Sequence, residues 1–308
     1  MTGGVGVTAP RLIRAVVTDE AGASDPAPVP WWSFGKTVLA AAALRLVAEG
    51  RLCLDEPVGR RPFTLRHLLQ HRAGLPEYGR LAAYHADVAA GGPPWPRDRL
   101  LREVAADTLV FEPGQGWAYS NVGYLLVRDL VEEATGLALG VALDRLVLGP
   151  LGVAGVRVVH EPADLAATAW GNAAGYHPGW VYHGLLIGPA ASAALLLHRL
   201  LGGSLLPEAL RSAMLAAHPV GGPVPGRPWR MAGYGLGLMI GVGDTGALYV
   251  GHTGGGPGST AAVYQCVPGR TAAAFAPMEE PAAVERCAMG LACGGQVCQE
   301  EDSCSQHG

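Results

Sequence analysis

Lys36, the single lysine of this chain, stands three residues after Ser33, and together they could carry out nucleophilic chemistry on a carbonyl. The rest of the 22 basic side chains are arginine. Arginine can replace lysine for surface charge and solubility. It cannot replace an amine that must give up its proton, because a guanidinium pKa of roughly 12.5 or more keeps it charged. A lysine amine can be drawn towards neutrality by burial or a neighbouring cation, and then serves as a base. The competing reading is a lysine that survived by chance, and its neighbours weigh against that. Pro28 and Pro30 forbid helix upstream, and Val38, Leu39, Leu44, Leu46 and Val47 carry an apolar helix to a stop near Gly50. Ser33 and Lys36, at i and i+3, then share one face of its first turn. A serine there lies among free backbone N–H groups at the positive end of the helix dipole, which favours a developing oxyanion. A plain N-cap role for Ser33 is compatible with this chemistry.

A hydrolytic serine also needs a proton relay to the leaving group and two oxyanion donors. Tyr119-Ser120-Asn121 stands where a turn meets a helix, so a phenol and an amide are available there. His252-Thr253-Gly254-Gly255-Gly256 follows the apolar run Leu248 to Val250, where glycines would let a substrate backbone approach a strand edge.

The elements that must hold these groups are legible in outline. A strand is expected over Leu12 to Thr18 and a Pro-rich connector over Ser24 to Pro30. Helices are expected at Thr64 to His71, Leu81 to Ala90, Arg99 to Ala106, Val122 to Thr135 (closed by Gly136), Leu137 to Leu148, Pro189 to Leu201 and Pro207 to Ala217. Past Gly233 the texture turns to short strands: Tyr234 to Gly241, Ala247 to His252, Thr260 to Val267 and Thr271 to Ala276. A helix follows over Ala282 to Leu291. Strands at both ends with helices between predict an α+β fold, its sheet built from the terminal segments. The expected layout is one catalytic domain over 1–290, with a helical lobe inserted at about 60–230, and a Cys-containing tail over 291–308.

Composition limits the remaining choices. Hydrophobic residues make up 49% of the 308 and charged residues 16%, which is ample for a packed core. The net charge of −4 with no long run of either sign argues against nucleic acid or an anionic membrane as partner. No signal peptide and no membrane span is read, so a cytoplasmic protein is the expectation. Cys293, Cys298, Cys304 and His307 lack the paired knuckle of a zinc site, and reduced thiols in a poorly ordered tail are expected. His67 and His71 are spaced i, i+4 but lack the glutamate of a zinc-hydrolase helix, so no metal and no cofactor is expected. Trp31 and Trp32 read equally as an acyl-pocket wall or as core. Trp180, Tyr182 and His183 read as a buried structural loop or a wall of the cleft. Gly4 to Gly6 is no phosphate loop, since no strand precedes it.

Ser33-x-x-Lys36, Tyr119-Ser120-Asn121 and His252-Thr253-Gly254 stand in the order and rough spacing of three motifs, and the chain resembles the serine β-lactamase and penicillin-binding-protein family. The three motifs resemble those of class C β-lactamases and soluble D-Ala-D-Ala carboxypeptidases. Leu65 to Pro76 resembles that family's LLxHxSGL segment, and Phe111-Glu112-Pro113-Gly114 resembles the approach to its second motif. The resemblance covers about residues 12 to 290. It implies an antiparallel sheet flanked by helices, an all-helical lobe and a site in the cleft between them. It also implies that Ser33 attacks a carbonyl and that Lys36 and Tyr119 move its proton. Asn121 would orient, Thr253 and His252 would bind substrate beside Gly254, and the amides of Ser33 and Gly255 would form the oxyanion hole.

Three departures from the family pattern matter. His252 replaces the usual lysine and is only partly charged at neutral pH, which predicts weaker capture of a carboxylate. An esterase, amidase or D-peptidase acting on a small ester, amide or D-amino-acid peptide is therefore expected ahead of a true β-lactamase. A ligand-binding or regulatory protein that has lost turnover is the reading from another class. The N-terminal part offers one confident strand where the family has two, and Phe34 and Gly35 are unusual between serine and lysine.

Overall fold

Residue alternation in the C-terminal strands builds a sheet with two buried faces. In the computed structural model, which describes residues 11–18, 25–172, 175–203 and 205–295, Ala261 and Val263 pack into one core. Their neighbours Ala262, Tyr264 and Cys266 pack into the other. Ala273 and Phe275 alternate with Ala272, Ala274 and Ala276 in the same way.

The strands are β1 (Ile13–Val17), β2 (Val29–Pro30), β3 (Arg157–Val159), β4 (Leu185–Gly188), β5 (His218–Gly221), β6 (Trp229–Tyr234), β7 (Met239–Gly243), β8 (Leu248–Gly256), β9 (Ser259–Val267) and β10 (Thr271–Ala276). Seven form an antiparallel sheet in the order β1-β10-β9-β8-β7-β6-β5, and a second sheet runs β2-β4-β3. The N-terminal segment thus adds one strand to the edge of the large sheet, as expected. Its second, two-residue strand joins the small sheet.

The helices are α1 (Gly35–Ala48), α2 (Leu65–Leu69), α3 (Ala82–Ala89), α4 (Arg97–Glu103), α5 (Asn121–Thr135), α6 (Leu139–Leu143), α7 (Pro162–Ala166), α8 (Ala190–Gly202), α9 (Glu208–Leu215) and α10 (Pro281–Ala292). Helix α8 packs on β1, β9 and β10 on one face of the sheet, and α10 packs on β8, β9 and β10 on the other. Most of the remaining helices lie between α1 and β5 in sequence, and α1 packs against α5. Among the described residues, no helix is long and apolar enough to cross a membrane.

Several expectations need correction. The run Tyr234 to Gly241 is not one strand: β6 ends at Tyr234, the chain turns at Gly235 to Leu238, and β7 begins at Met239. Gly237 makes that turn with φ +79, against Ala40 of α1. Strand β8 runs on through Gly256 instead of ending at His252, because each glycine of the run pairs with β9. The small sheet, with strands of two to four residues, left no alternating pattern to read. Cys293 is not a reduced tail thiol: it follows α10 and forms a disulfide with Cys266 of β9. Cys298, Cys304 and His307 lie outside the described residues, as does Gly4 to Gly6.

Candidate functional site

The small sheet delivers the chain to Ser33. β2 pairs with Ile187 and Gly188 of β4, and the next N–H, that of Trp31, donates to the Leu186 carbonyl at 2.8 Å. The Trp31 ring is core, its Nε1 donating to Gly188 O at 3.1 Å. Trp32 then takes φ +43, a left-handed conformation rare for a bulky residue, while its Nε1–H donates to Ser259 Oγ at 2.9 Å. Ser33 lies in the single 3₁₀ turn Trp32–Phe34 that runs directly into α1. Lys36 is in the first turn of α1, fully buried.

Lys36 Nζ lies 3.0 Å from Ser33 Oγ. The Tyr119 hydroxyl donates to the same Oγ at 2.8 Å. Burial draws the Lys36 amine down from its ordinary value to about 7, against an upward pull from the Glu77 carboxylate. Burial pushes Tyr119 above the usual phenol range, an effect that its bond to Ser33 only moderates. At neutral pH the amine is therefore the group able to accept a proton, and the phenol is a donor.

Tyr119 ends the extended stretch before α5. Ser120 caps that helix by accepting from the Gly123 N–H at 3.1 Å, and its own hydroxyl donates to Pro76 O. Asn121 donates from both its backbone N–H and its Nδ2 to Glu77, the side-chain bond measuring 3.0 Å. Glu77 Oε1 also accepts from the Gly79 N–H. His71, buried with φ +58, supports the phenol from behind: its ring centroid is 4.3 Å from that of Tyr119 and 4.6 Å from that of Tyr234. His67 closes a capping box with Thr64 at the start of α2, which is a structural role.

The third segment forms the wall opposite Tyr119. β7 pairs with β8 only as far as Met239↔Gly251, so beyond Gly251 that edge of β8 is free of β7. The Thr253 N–H points to this edge, towards Met239 Sδ. The Gly255 N–H, two residues on, points the same way. A side chain at Gly254 would put its Cβ 2.4 Å from the Ser33 N, so the glycine permits the close approach of β8 to the nucleophile segment. Gly256 is likewise pressed on the Trp32 ring, whereas a Cβ at Gly255 would meet nothing nearer than 3.7 Å.

His252 is buried, and its bonds define its tautomer. Nδ1 lies 2.6 Å from the Thr253 carbonyl, which can only accept, so Nδ1 carries the proton and Nε2 accepts from the Tyr234 hydroxyl at 2.7 Å. Burial first, then the Lys36 charge, lowers this imidazole to about 3. His252 is thus uncharged, a stronger departure from a lysine than partial protonation. The Thr253 hydroxyl donates to Glu285, a fully buried carboxylate that also binds Arg227 and the Trp229 indole. Arg227, the cationic side chain lining the cleft, is neutralised by that partner.

Two compartments meet at Ser33 and Gly255. The larger, about 480 Å³, has Tyr119 in its wall with Trp117, Val220, Val224, Trp229 and Met239. The smaller, about 110 Å³, is lined by Asn121, His183, Trp32 and three tyrosines, Tyr78, Tyr84 and Tyr176. The loop Trp180–His183 is buried and also reaches the cleft, where Val181 and His183 line the smaller compartment. The structure therefore brings Ser33, Lys36, Tyr119, Asn121, His252, Thr253, Gly254 and Gly255 to one site. Sequence reasoning missed Glu77, Glu285 and the contact between His183 and Lys36. Glu77 directly follows the Leu65 to Pro76 segment and was within reach of that reading; the other two left no signal.

The chain matches the Beta-lactamase family model over residues 14–276. It is 38% identical over 141 residues to esterase EstB of Burkholderia gladioli, a stretch covering 39% of this chain and 36% of that one. It is 29% identical over 145 residues to penicillin-binding protein 4* of Bacillus subtilis strain 168, covering 42% and 30%. These stretches span about a third of each relative's length. Among solved structures, a D-stereospecific amidohydrolase from Streptomyces sp. aligns with a TM-score of 0.75 at 24% identity, over 92% of this chain and 94% of that one. The D-amino acid amidase of Ochrobactrum anthropi SV3 aligns with a TM-score of 0.74 at 20% identity, over 86% and 88%. Both structural likenesses concern the fold.

Proposed function

The chain belongs to the β-lactamase family, and we propose that it is a serine hydrolase that cleaves small, uncharged esters or amides through an acyl-enzyme on Ser33. The observation that carries this reading is Ser33 Oγ held between the Lys36 amine at 3.0 Å and the Tyr119 hydroxyl at 2.8 Å. Ser33 Oγ forms a bond to the substrate carbonyl carbon as its proton passes to the neutral Lys36 amine. The oxygen of the tetrahedral intermediate accepts from the amides of Ser33 and Gly255. As the intermediate collapses, the bond to the leaving group breaks. The leaving atom takes the Tyr119 proton, and Lys36 reprotonates the phenol. Water then releases the acid by the same steps in reverse.

The compartments suggest how the substrate lies. A leaving group must face its proton donor, and Tyr119 lines the larger, apolar compartment. The acyl part then occupies the smaller one beside Asn121. Among the described residues that line the cleft, uncharged His252 and neutralised Arg227 leave no free arginine or histidine cation for a substrate carboxylate. Esters and amides without a carboxylate are therefore favoured over penicillins and peptides ending in D-Ala. That esterase EstB and D-aminopeptidases stand among the relatives is in keeping with this order.

The test is a fluorophosphonate probe with mass spectrometry, followed by a panel of p-nitrophenyl esters, D-amino-acid amides and nitrocefin. The expected result is an adduct on Ser33, absent from Ser33→Ala, with p-nitrophenyl acetate turned over faster than nitrocefin. No adduct, or turnover unchanged in Ser33→Ala, would sink the reading.

A further inference from the structure

The Lys36 amine has a second polar neighbour besides Ser33: buried His183, with Nε2 at 3.3 Å. The small sheet puts it there. His183 stands two residues before β4, and β4 is the strand that holds β2 and the Trp31 N–H. The backbone leading into β4 therefore runs beside the segment carrying Ser33. Gly184, with φ +93 against Leu139, makes the bend between them.

A neutral amine has two N–H bonds and one lone pair, so its orientation decides whether it can act on Ser33. Tyr119 donates to Ser33 Oγ, which leaves the serine hydrogen free to point at Lys36. The lone pair must then face Ser33, and an amine N–H must find an acceptor elsewhere. No carboxylate forms an ion pair with Lys36 among the described residues. His183 Nε2 is the acceptor in range.

We propose that His183 is a positioning residue: its Nε2 accepts a hydrogen bond from the Lys36 amine and so turns the lone pair of that amine onto the Ser33 hydroxyl. The hydrogen bonds then run in one direction, from Tyr119 to Ser33 to Lys36 to His183. The imidazole is neutral, with its proton on Nδ1. Nδ1 makes no hydrogen bond of normal geometry, although the Trp32 backbone lies near enough to favour a proton on the ring. The proposal rests on Lys36 being the acceptor of the Ser33 proton.

The first test is made on the unaltered protein. Long-range proton–nitrogen NMR at pH 7 should report His183 as the neutral tautomer with its proton on Nδ1. A proton on Nε2 would overturn the proposal, since that nitrogen could not accept from the lysine. The second test compares the rate of fluorophosphonate labelling at Ser33 in two variants, with melting temperatures measured alongside. H183L fills the space without an acceptor and should slow labelling about 10²-fold, the cost of a mis-set reacting group. H183Q offers an amide oxygen near the Nε2 position and should recover most of that loss. Wild-type labelling in H183L, or equal loss in two stably folded variants, would overturn the proposal. Should neither variant fold, the tautomer decides. Failure of the underlying reading looks different: K36R would label as fast as wild type, whatever His183 does.

Discussion

Replacing Lys36 by arginine would keep a cation at the head of α1 and remove the group able to lose a proton. K36R is expected to lower acylation of Ser33 by about 10²–10⁴-fold, the range typical of a lost general base, as measured by the burst with p-nitrophenyl acetate. The pH profile follows from the same amine. The active form is neutral, and the amine lies at about 7, so acylation should be half-maximal near pH 7 and level at higher pH. Below that point it should fall about tenfold per pH unit as the amine is protonated. The groups facing this amine are Glu77, which raises it, the His183 imidazole at 3.3 Å and the rings of Tyr119 and Tyr124. E77Q should therefore move the acid limb to lower pH, a shift visible in the same profile. Stability carries the matching sign. The unfolded lysine holds its proton up to its ordinary value, so between about 7 and that value the unfolded chain binds more protons. Folding then strengthens as pH rises through that window.

At the scale of elements, two adjacent glycines of β8 make opposite demands. G254A would drive a Cβ into the Ser33 amide, so acylation should fall by at least about 10²-fold, the penalty of displacing a reacting group. G255A makes only an ordinary van der Waals contact, 3.7 Å from Thr260 Oγ1, and should keep the wild-type melting temperature. Equal behaviour of the two in a thermal melt and a labelling assay would count against the close packing of β8 on the Ser33 turn. The same strand shows where sequence reading stops. His252-Thr253-Gly254-Gly255-Gly256 carries no alternation, so the expected strand stops at His252, yet pairing with β9 and contact with Trp32 hold the glycines extended. Helices α5 and α8 were legible because an apolar face and a clear boundary, such as Gly136, mark them. The nucleophile, its base and the phenol could be found because few residue types can do their work. The roles of His183 and Glu285 could not be assigned, because each acts through a neighbour 147 or 32 positions away, a distance only folding creates.

Over the whole molecule, two cores share one sheet. The larger joins α1, α5 and α8 to one face, and the smaller lies under α10 on the other. The Cys266–Cys293 disulfide ties the end of α10 to β9, closing a loop of 27 residues. C293S should cost about 3.5 kcal/mol on the chain-entropy view and lower the melting temperature by several degrees. Labelling of Ser33 at 25 °C should be unaffected, because the bond lies on the face away from the Ser33 turn. A melt unchanged by the substitution or by reductant would show that this tie is not formed.

The enclosure of Lys36 has a practical consequence. A lysine-specific endoprotease has a single peptide bond to cut in this polypeptide, the one joining residues 36 and 37, and both side chains are sealed within α1. Digestion under native conditions therefore acts as a clock for the unravelling of that helix, read as two fragments on a gel. An inhibitor esterified to the serine should slow the clock, with no spectroscopic tag required.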